Sequence, residues 1–423
     1  MSSHDDTSDS SATGPLSGVR VIDMTTVLMG PFATQTMGDY GADVIKVEAP
    51  QGDLMRQVGP SRSKEMGGLF LNVNRSKRSI TLDLKQSEGR EALLKLCETA
   101  DVLIFNVRAQ AMKRLGLSYA DVSAINPRII YAGLYGYGQD GPYAPRPAYD
   151  DLIQGASTIP HLFTRVDDGK PRYVPAAIAD RVVGLSAMGA ILATLYNRER
   201  TGQGQSVEIP MFETMLNFIL SDHLGGLTYN PPLDNGGYNR HLSADRRPYE
   251  TKDGYICALV YTDGHWKSFF DIVEHPDFPD LDERFRNFAY RSENIDEVYA
   301  EIAGFFLVKT TEQWMELLDK GDVPFMPMHD LESVLSDPHL VETNFFRDVE
   351  HSTEGSIKSM AVPAKWSITK AEPSRLAPRL GEHSIEVLLE AGYSRDDIID
   401  MLDRKISGST DSALQKLKSD NSA

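Results

Sequence analysis

Val19-Arg20-Val21-Ile22-Asp23, then Phe32 to Tyr40, then Val44-Ile45-Lys46-Val47 form the stretch that decides the fold. Two short apolar, β-branched runs flank a segment of helical composition that stops at Gly41. The same alternation continues outward. Ile80-Thr81-Leu82-Asp83-Leu84 reads as a third strand. Ser87 caps a helix with Leu93, Leu96 and Cys97 at helical spacing. Val102-Leu103-Ile104-Phe105 and Ile129-Ile130-Tyr131-Ala132 are a fourth and a fifth strand. Strand and helix in alternation predict an α/β fold with a parallel sheet, whose ligands sit beyond the carboxyl ends of the strands.

Further along, Val182 to Tyr196 is the longest apolar stretch. It is shorter than the roughly 20 residues that span a bilayer and reads as a buried helix. A polar turn from Arg198 to Gln205 leads into a strand, Ser206 to Pro210, and a helix, Phe212 to Leu224. Pro231 to Gly237 has the composition of a linker. The expected division is a large part at 15–226, a smaller α+β part at 227–335, and a return to the large part at 336–406. Residues 1–14 and 407–423 are polar and are expected to be disordered.

The 423 residues exceed what one core ordinarily supports. Net charge is −18, from 43 basic and 61 acidic residues. Such a surface repels phosphate backbones and anionic lipid, so nucleic acid and membranes are not expected partners. Cys97 and Cys257 are the two cysteines, both flanked by apolar residues and expected as small buried hydrophobes. So few cysteines suit a reducing, cytoplasmic compartment. No histidine has metal-ligand spacing, His329 and His383 read as surface residues, and no metal is expected.

Gly136-Tyr137-Gly138-Gln139-Asp140-Gly141 matches the dinucleotide pattern G-x-G-x-x-G, but Pro142, Pro145 and Pro147 forbid the helix that should follow. The loop reads instead as a rigid turn at the edge of a different pocket. Lys77, Arg78, Lys85, Asn106, Arg108 and Arg114 cluster near strand ends and could hold a phosphate-bearing anion. Asp180 directly precedes the apolar helix. It reads either as an N-cap or as a nucleophile kept ionised by Arg181 and the helix start. Small residues at Gly184, Ala187 and Gly189 would let neighbouring backbone come close.

In order, Leu16 to Asp23, Gly30-Pro31, Gly41 to Glu48, Lys77 to Asp83, Ala100 to Leu103, Gly136 to Tyr143, Thr201 to Gln205 and Pro378 to His383 resemble the motifs of class III CoA-transferases. That family includes formyl-CoA and carnitine CoA-transferases and the related α-methylacyl-CoA racemases. The resemblance implies a Rossmann-like large domain and an interlocked homodimer. It implies Asp180 as the group that attacks an acyl-CoA thioester, and Leu82, Lys85, Asn106, Arg108 and Arg114 as the coenzyme A site. It implies acyl-CoA and carboxylic acid substrates and no resident cofactor. Leu28 and Ala49 stand where formyl-CoA transferases have Gln and Arg, and no tetraglycine run is present, so the resemblance does not extend to formate and oxalate. A racemase carries histidine where this chain has Tyr149, and tyrosine is a poor base at neutral pH. A CoA-binding protein without catalysis would not need Asp180.

Overall fold

The apolar runs of the N-terminal half assemble into one sheet. The computed structural model describes residues 13–166 and 169–419. β1 (Arg20–Met24), β2 (Asp43–Glu48), β3 (Lys77–Thr81), β4 (Val102–Phe105), β5 (Ile130–Tyr135) and β6 (Gln205–Pro210) lie in the order β3-β2-β1-β4-β5-β6. All neighbours run parallel. This is the doubly wound order, in which the winding reverses between β1 and β4. Ile22 is in register with Ile45 on one side and Leu103 on the other. The central strands are buried on both faces, which is why they read as unbroken apolar runs.

On one face Ile22, Ile45, Ile80 and Leu103 pack against Leu93 and Leu96 of the helix Ser87–Cys97 and against Val387 and Leu388 from the returning chain end. The helices Met29–Asp39 and Ile178–Thr201 pack against each other and against strands of the sheet. A Cβ on Gly184 would sit 2.7 Å from the Met29 carbonyl, so that glycine sets the helix separation. Gly189 meets open space and has no such role.

Several expectations change. The third strand starts at Lys77, earlier than expected, and Leu82 already lies beyond it. The long helix has 24 residues and is apolar enough to cross a membrane by length and composition. Only one face is buried, through Val183, Ala187 and Ile191, while Leu185 and Tyr196 are exposed. The expected disorder of 407–423 does not hold for 407–419. Ser407 donates to the Thr81 carbonyl at 2.8 Å, and the helix Asp411–Ser419 seats Leu417 in the core. Residues 1–12 and 420–423 lie outside the described residues. Cys97 is buried, and burial pushes its thiol up to about 12. Cys257 is exposed.

The chain divides into two units, one of 1–156, 174–215 and 342–423, the other of 157–173 and 216–341. The sequence reading sets the boundaries at 226/227 and 335/336 and keeps 157–173 in the large part. The second unit has a three-stranded antiparallel sheet of β7 (Tyr249–Glu250), β8 (Tyr255–Ala258) and β9 (Phe325–Pro327). Its core is aromatic, built on Trp266, Phe269, Phe306 and Trp314. Pro231 to Gly237 is folded within this unit, where the Asp234 carboxylate accepts from the Gly226 and Gly236 amides.

Candidate active site

The loop after β1 is held by charges buried inside the sheet. Lys46 and Lys77 reach Asp53 and Asp23 at 2.9 and 3.0 Å, and all four side chains are fully buried. Burial would raise the Asp23 carboxyl. Lys77 and Lys46, with the Thr25 and Thr34 hydroxyls, outweigh it and bring the group down to about 2. Lys46 also donates to the Thr25 carbonyl at 2.9 Å, and Asp53 accepts from the Val27 amide at 3.2 Å. Val27 has φ 71°, a left-handed conformation that a β-branched residue adopts only under constraint. Asn106, after β4, clips the loop from the other side. Its amide donates to the Thr26 carbonyl at 2.9 Å and accepts from the Thr26 amide at 3.1 Å.

A cleft of about 250 Å³ opens beyond these loops. Thr26 and Val27 line it from β1, and Asn106 and Arg108 from β4, so it sits where the winding reverses. Gly136, Arg146, Tyr149, Asp150 and Asp180 complete the wall. Asp180 is not an N-cap. Ala177 holds that position, and Asp180 lies in the first turn of the helix Ile178–Thr201. The capping is done from outside, by Asp150, whose carboxylate accepts from the Asp180 amide at 2.9 Å. Gln154 orients Asp150 through a bond of 2.6 Å.

The expectation that Arg181 keeps Asp180 ionised is overturned. Burial, and then the negative charge of Asp150, raise the Asp180 carboxyl to about 7 against a smaller opposing effect of Arg181. Arg181 lies 4.6 Å over the Phe32 ring. Asp180 is therefore a carboxyl poised near neutrality in a cleft, a property of groups tuned for chemistry.

Of the residues expected at a coenzyme A site, Asn106 and Arg108 share the cleft with Asp180. Lys85 and Arg114 are exposed after β3 and at the end of the helix Ala109–Arg114, and neither lines it. Leu82 is 1% exposed as a whole residue and belongs to the core, and its amide donates to the Glu48 carbonyl at 2.9 Å, so it presents no free group to a ligand. Lys77 and Arg78 do not form an anion site. Lys77 is spent on Asp23, and Arg78 on Asp43, Glu386 and Glu390. His383 is not a surface residue. Its ring accepts from the Ser79 amide at 3.2 Å and its own amide donates back to the Ser79 carbonyl at 2.9 Å. Sequence reasoning missed Asp150 and Arg146 as cleft residues. Their signal was position, in Arg146-Pro147-Ala148-Tyr149-Asp150 directly after the glycine loop.

Residues 16–384 match the family model for CoA-transferase family III. An acyl-CoA transferase of Fusarium pseudograminearum is 34% identical, over 92% of this chain and 88% of its own. Succinyl-CoA:glutarate CoA-transferase of Mus musculus is 32% identical, over 90% of this chain and 88% of its own. The crystal structure of a CAIB/BAIF family protein from Brucella suis superposes with a TM-score of 0.76 at 30% identity, covering 90% of this chain and all of that one. With a six-stranded parallel sheet and a family match over most of its length, the chain belongs to CoA-transferase family III.

Proposed function

We propose that the cleft transfers coenzyme A from an acyl-CoA donor to a carboxylic acid through Asp180. The observation that carries this is the Asp180 carboxyl, raised to about 7 by burial and by Asp150, in a cleft at the sheet's switch point. The ionised Asp180 attacks the donor thioester carbonyl, forming a mixed anhydride and releasing CoA thiolate. The thiolate attacks the aspartyl carbonyl, giving an aspartyl-CoA thioester and the free donor acid. The acceptor carboxylate attacks that thioester, forming a second anhydride and freeing the thiolate. The thiolate takes the acyl group and restores Asp180. A carboxyl with a pKa of about 7 is about half ionised at neutral pH, so the attacking form of Asp180 is available at little cost.

Lys85, Arg108 and Arg114 are the cations we assign to the coenzyme, with Asn106. They follow β3 and β4 on the carboxyl edge of the sheet. No resident cofactor enters the scheme. The carboxylic acid chemistry in the mouse relative's name supports the same substrate classes. An interlocked homodimer is part of this reading. Leu152, Leu185 and Tyr196 are exposed large apolar groups on the first unit, which a second copy would cover. Two free cysteines support a cytoplasmic setting.

The test is intact-mass spectrometry of the protein incubated with succinyl-CoA. A CoA adduct that maps to Asp180 and vanishes in Asp180→Asn, together with loss of turnover, is expected. Full turnover in Asp180→Asn would refute the reading.

A further inference from the structure

The loop marked by the G-x-G-x-x-G pattern is built as a rigid arm. The Gly138 amide donates to Glu213 at 2.9 Å and the Gln139 amide to Glu208 at 2.7 Å. A Cβ on Gly136 would lie 2.2 Å from the Ala148 side chain, so the loop lies tight against the segment that follows. Aromatic rings continue the support. Phe212 and Tyr137 pack at 6.0 Å, and Tyr137 and Tyr143 at 5.4 Å, both edge to face.

Arg146 is at the end of this arm. Its amide donates to the Tyr143 carbonyl at 2.8 Å, and its guanidinium lies 4.1 Å over the Tyr143 ring. Stacking occupies the guanidinium face and leaves its N–H edges open to a carboxylate. Arg146 forms no ion pair among the described residues, in a chain with 61 acidic against 43 basic groups. It lines the same cleft as Asp180. A cavity of about 250 Å³ is about 8 Å across if spherical. The terminal carbons of a five-carbon diacid are about 5 Å apart, from C–C bonds of about 1.5 Å. Such an acid is short enough to lie within the cleft that Asp180 and Arg146 both line.

We propose that Arg146 is the specificity residue of the cleft, binding the second carboxylate of a dicarboxylic acid substrate. This rests on the reading of the cleft as a CoA-transfer site. The glutarate arm and the coenzyme arm of the test separate the two anions that a guanidinium could hold there, a substrate carboxylate and a CoA phosphate.

The experiment compares glutarate with pentanoate as acceptors, with succinyl-CoA as donor, in wild type, Arg146→Ala and Arg146→Lys. Wild type is expected to prefer glutarate. In Arg146→Ala the glutarate-to-pentanoate ratio of kcat/KM falls roughly 10- to 100-fold, the scale of a lost charge-assisted pair. Arg146→Lys keeps part of the preference, since charge remains without the planar fork. Calorimetry of each acid, and of free coenzyme A, reads binding even where turnover is lost. An unmoved ratio in Arg146→Ala, or a loss of coenzyme A affinity with glutarate affinity intact, overturns the assignment. Absence of transfer to any acid in wild type defeats the transfer reading instead, and the calorimetric glutarate preference then decides Arg146 separately.

Discussion

Replacing Asp150 by Asn tests the electrostatics of the cleft directly. Asp180 is raised from 3.8 to about 7. At 1.36 kcal/mol per unit that is about 4 kcal/mol against the ionised form. Burial contributes most and Asp150 comes second, with Arg181 opposing both. Two unit charges about 5 Å apart, at an effective dielectric constant of about 20, repel by about 3 kcal/mol, an upper limit for the Asp150 share. Asp150→Asn keeps an oxygen that can accept from the Asp180 amide, so the helix start stays capped while the charge is lost. The Asp180 carboxyl should then fall, by at most about 2 pH units at 1.36 kcal/mol each, and stay above the value of a free aspartate, because burial persists. Transfer needs the ionised nucleophile, so kcat/KM should rise with pH through about 7 in wild type. In the variant that limb should move to lower pH by the same amount. The assay is the pH profile of kcat/KM between about pH 5 and pH 9, which reports groups of the free enzyme. A limb that stays in place or moves upward in Asp150→Asn would refute the reasoning.

Stability carries the same signature with a sign that can be worked out. A carboxyl whose folded pKa exceeds its unfolded value makes the protein less stable as pH rises from about 4 to about 7. Asp180→Asn should therefore raise the urea midpoint at pH 8, by up to about 4 kcal/mol in free energy, and change it little at pH 4. Lys77→Met leaves Asp23 with one of its two buried cations and should cost about 3–5 kcal/mol, read by urea unfolding. Arg114→Ala should raise the Michaelis constant for acyl-CoA about tenfold or more while sparing that for the acid; equal changes in both would remove Arg114 from the coenzyme site. Sedimentation at nanomolar protein should show a dimer, and Leu185→Glu with Tyr196→Glu should convert it to a species that no longer self-associates.

The alternation from Val19 to Ala132 was enough to predict a parallel α/β sheet, because strands buried on both faces must be apolar throughout. β4 was legible to the residue, since Val102–Phe105 contains no charge. β3 was misplaced for the opposite reason. Lys77 and Arg78 look like loop residues until Asp23, Asp43 and Glu390 are seen beside them, and those partners come from distant parts of the chain. The ordering of 407–419 escaped for the same cause, as the Thr81 carbonyl that holds Ser407 lies 326 residues away. Asp180 could be picked out by its place before the helix and by family resemblance. Its state could not. Sequence shows the neighbouring Arg181, whereas the folded chain brings in Asp150 from 30 residues upstream and shields the group from water. Arg146 and the arm that carries it were likewise visible only as a glycine pattern broken by prolines. Periodicity records which residues avoid water along one element. The pairing of charges, and the desolvation that sets their pKa values, depend on contacts between elements, and these exist only once the sheet has closed around them.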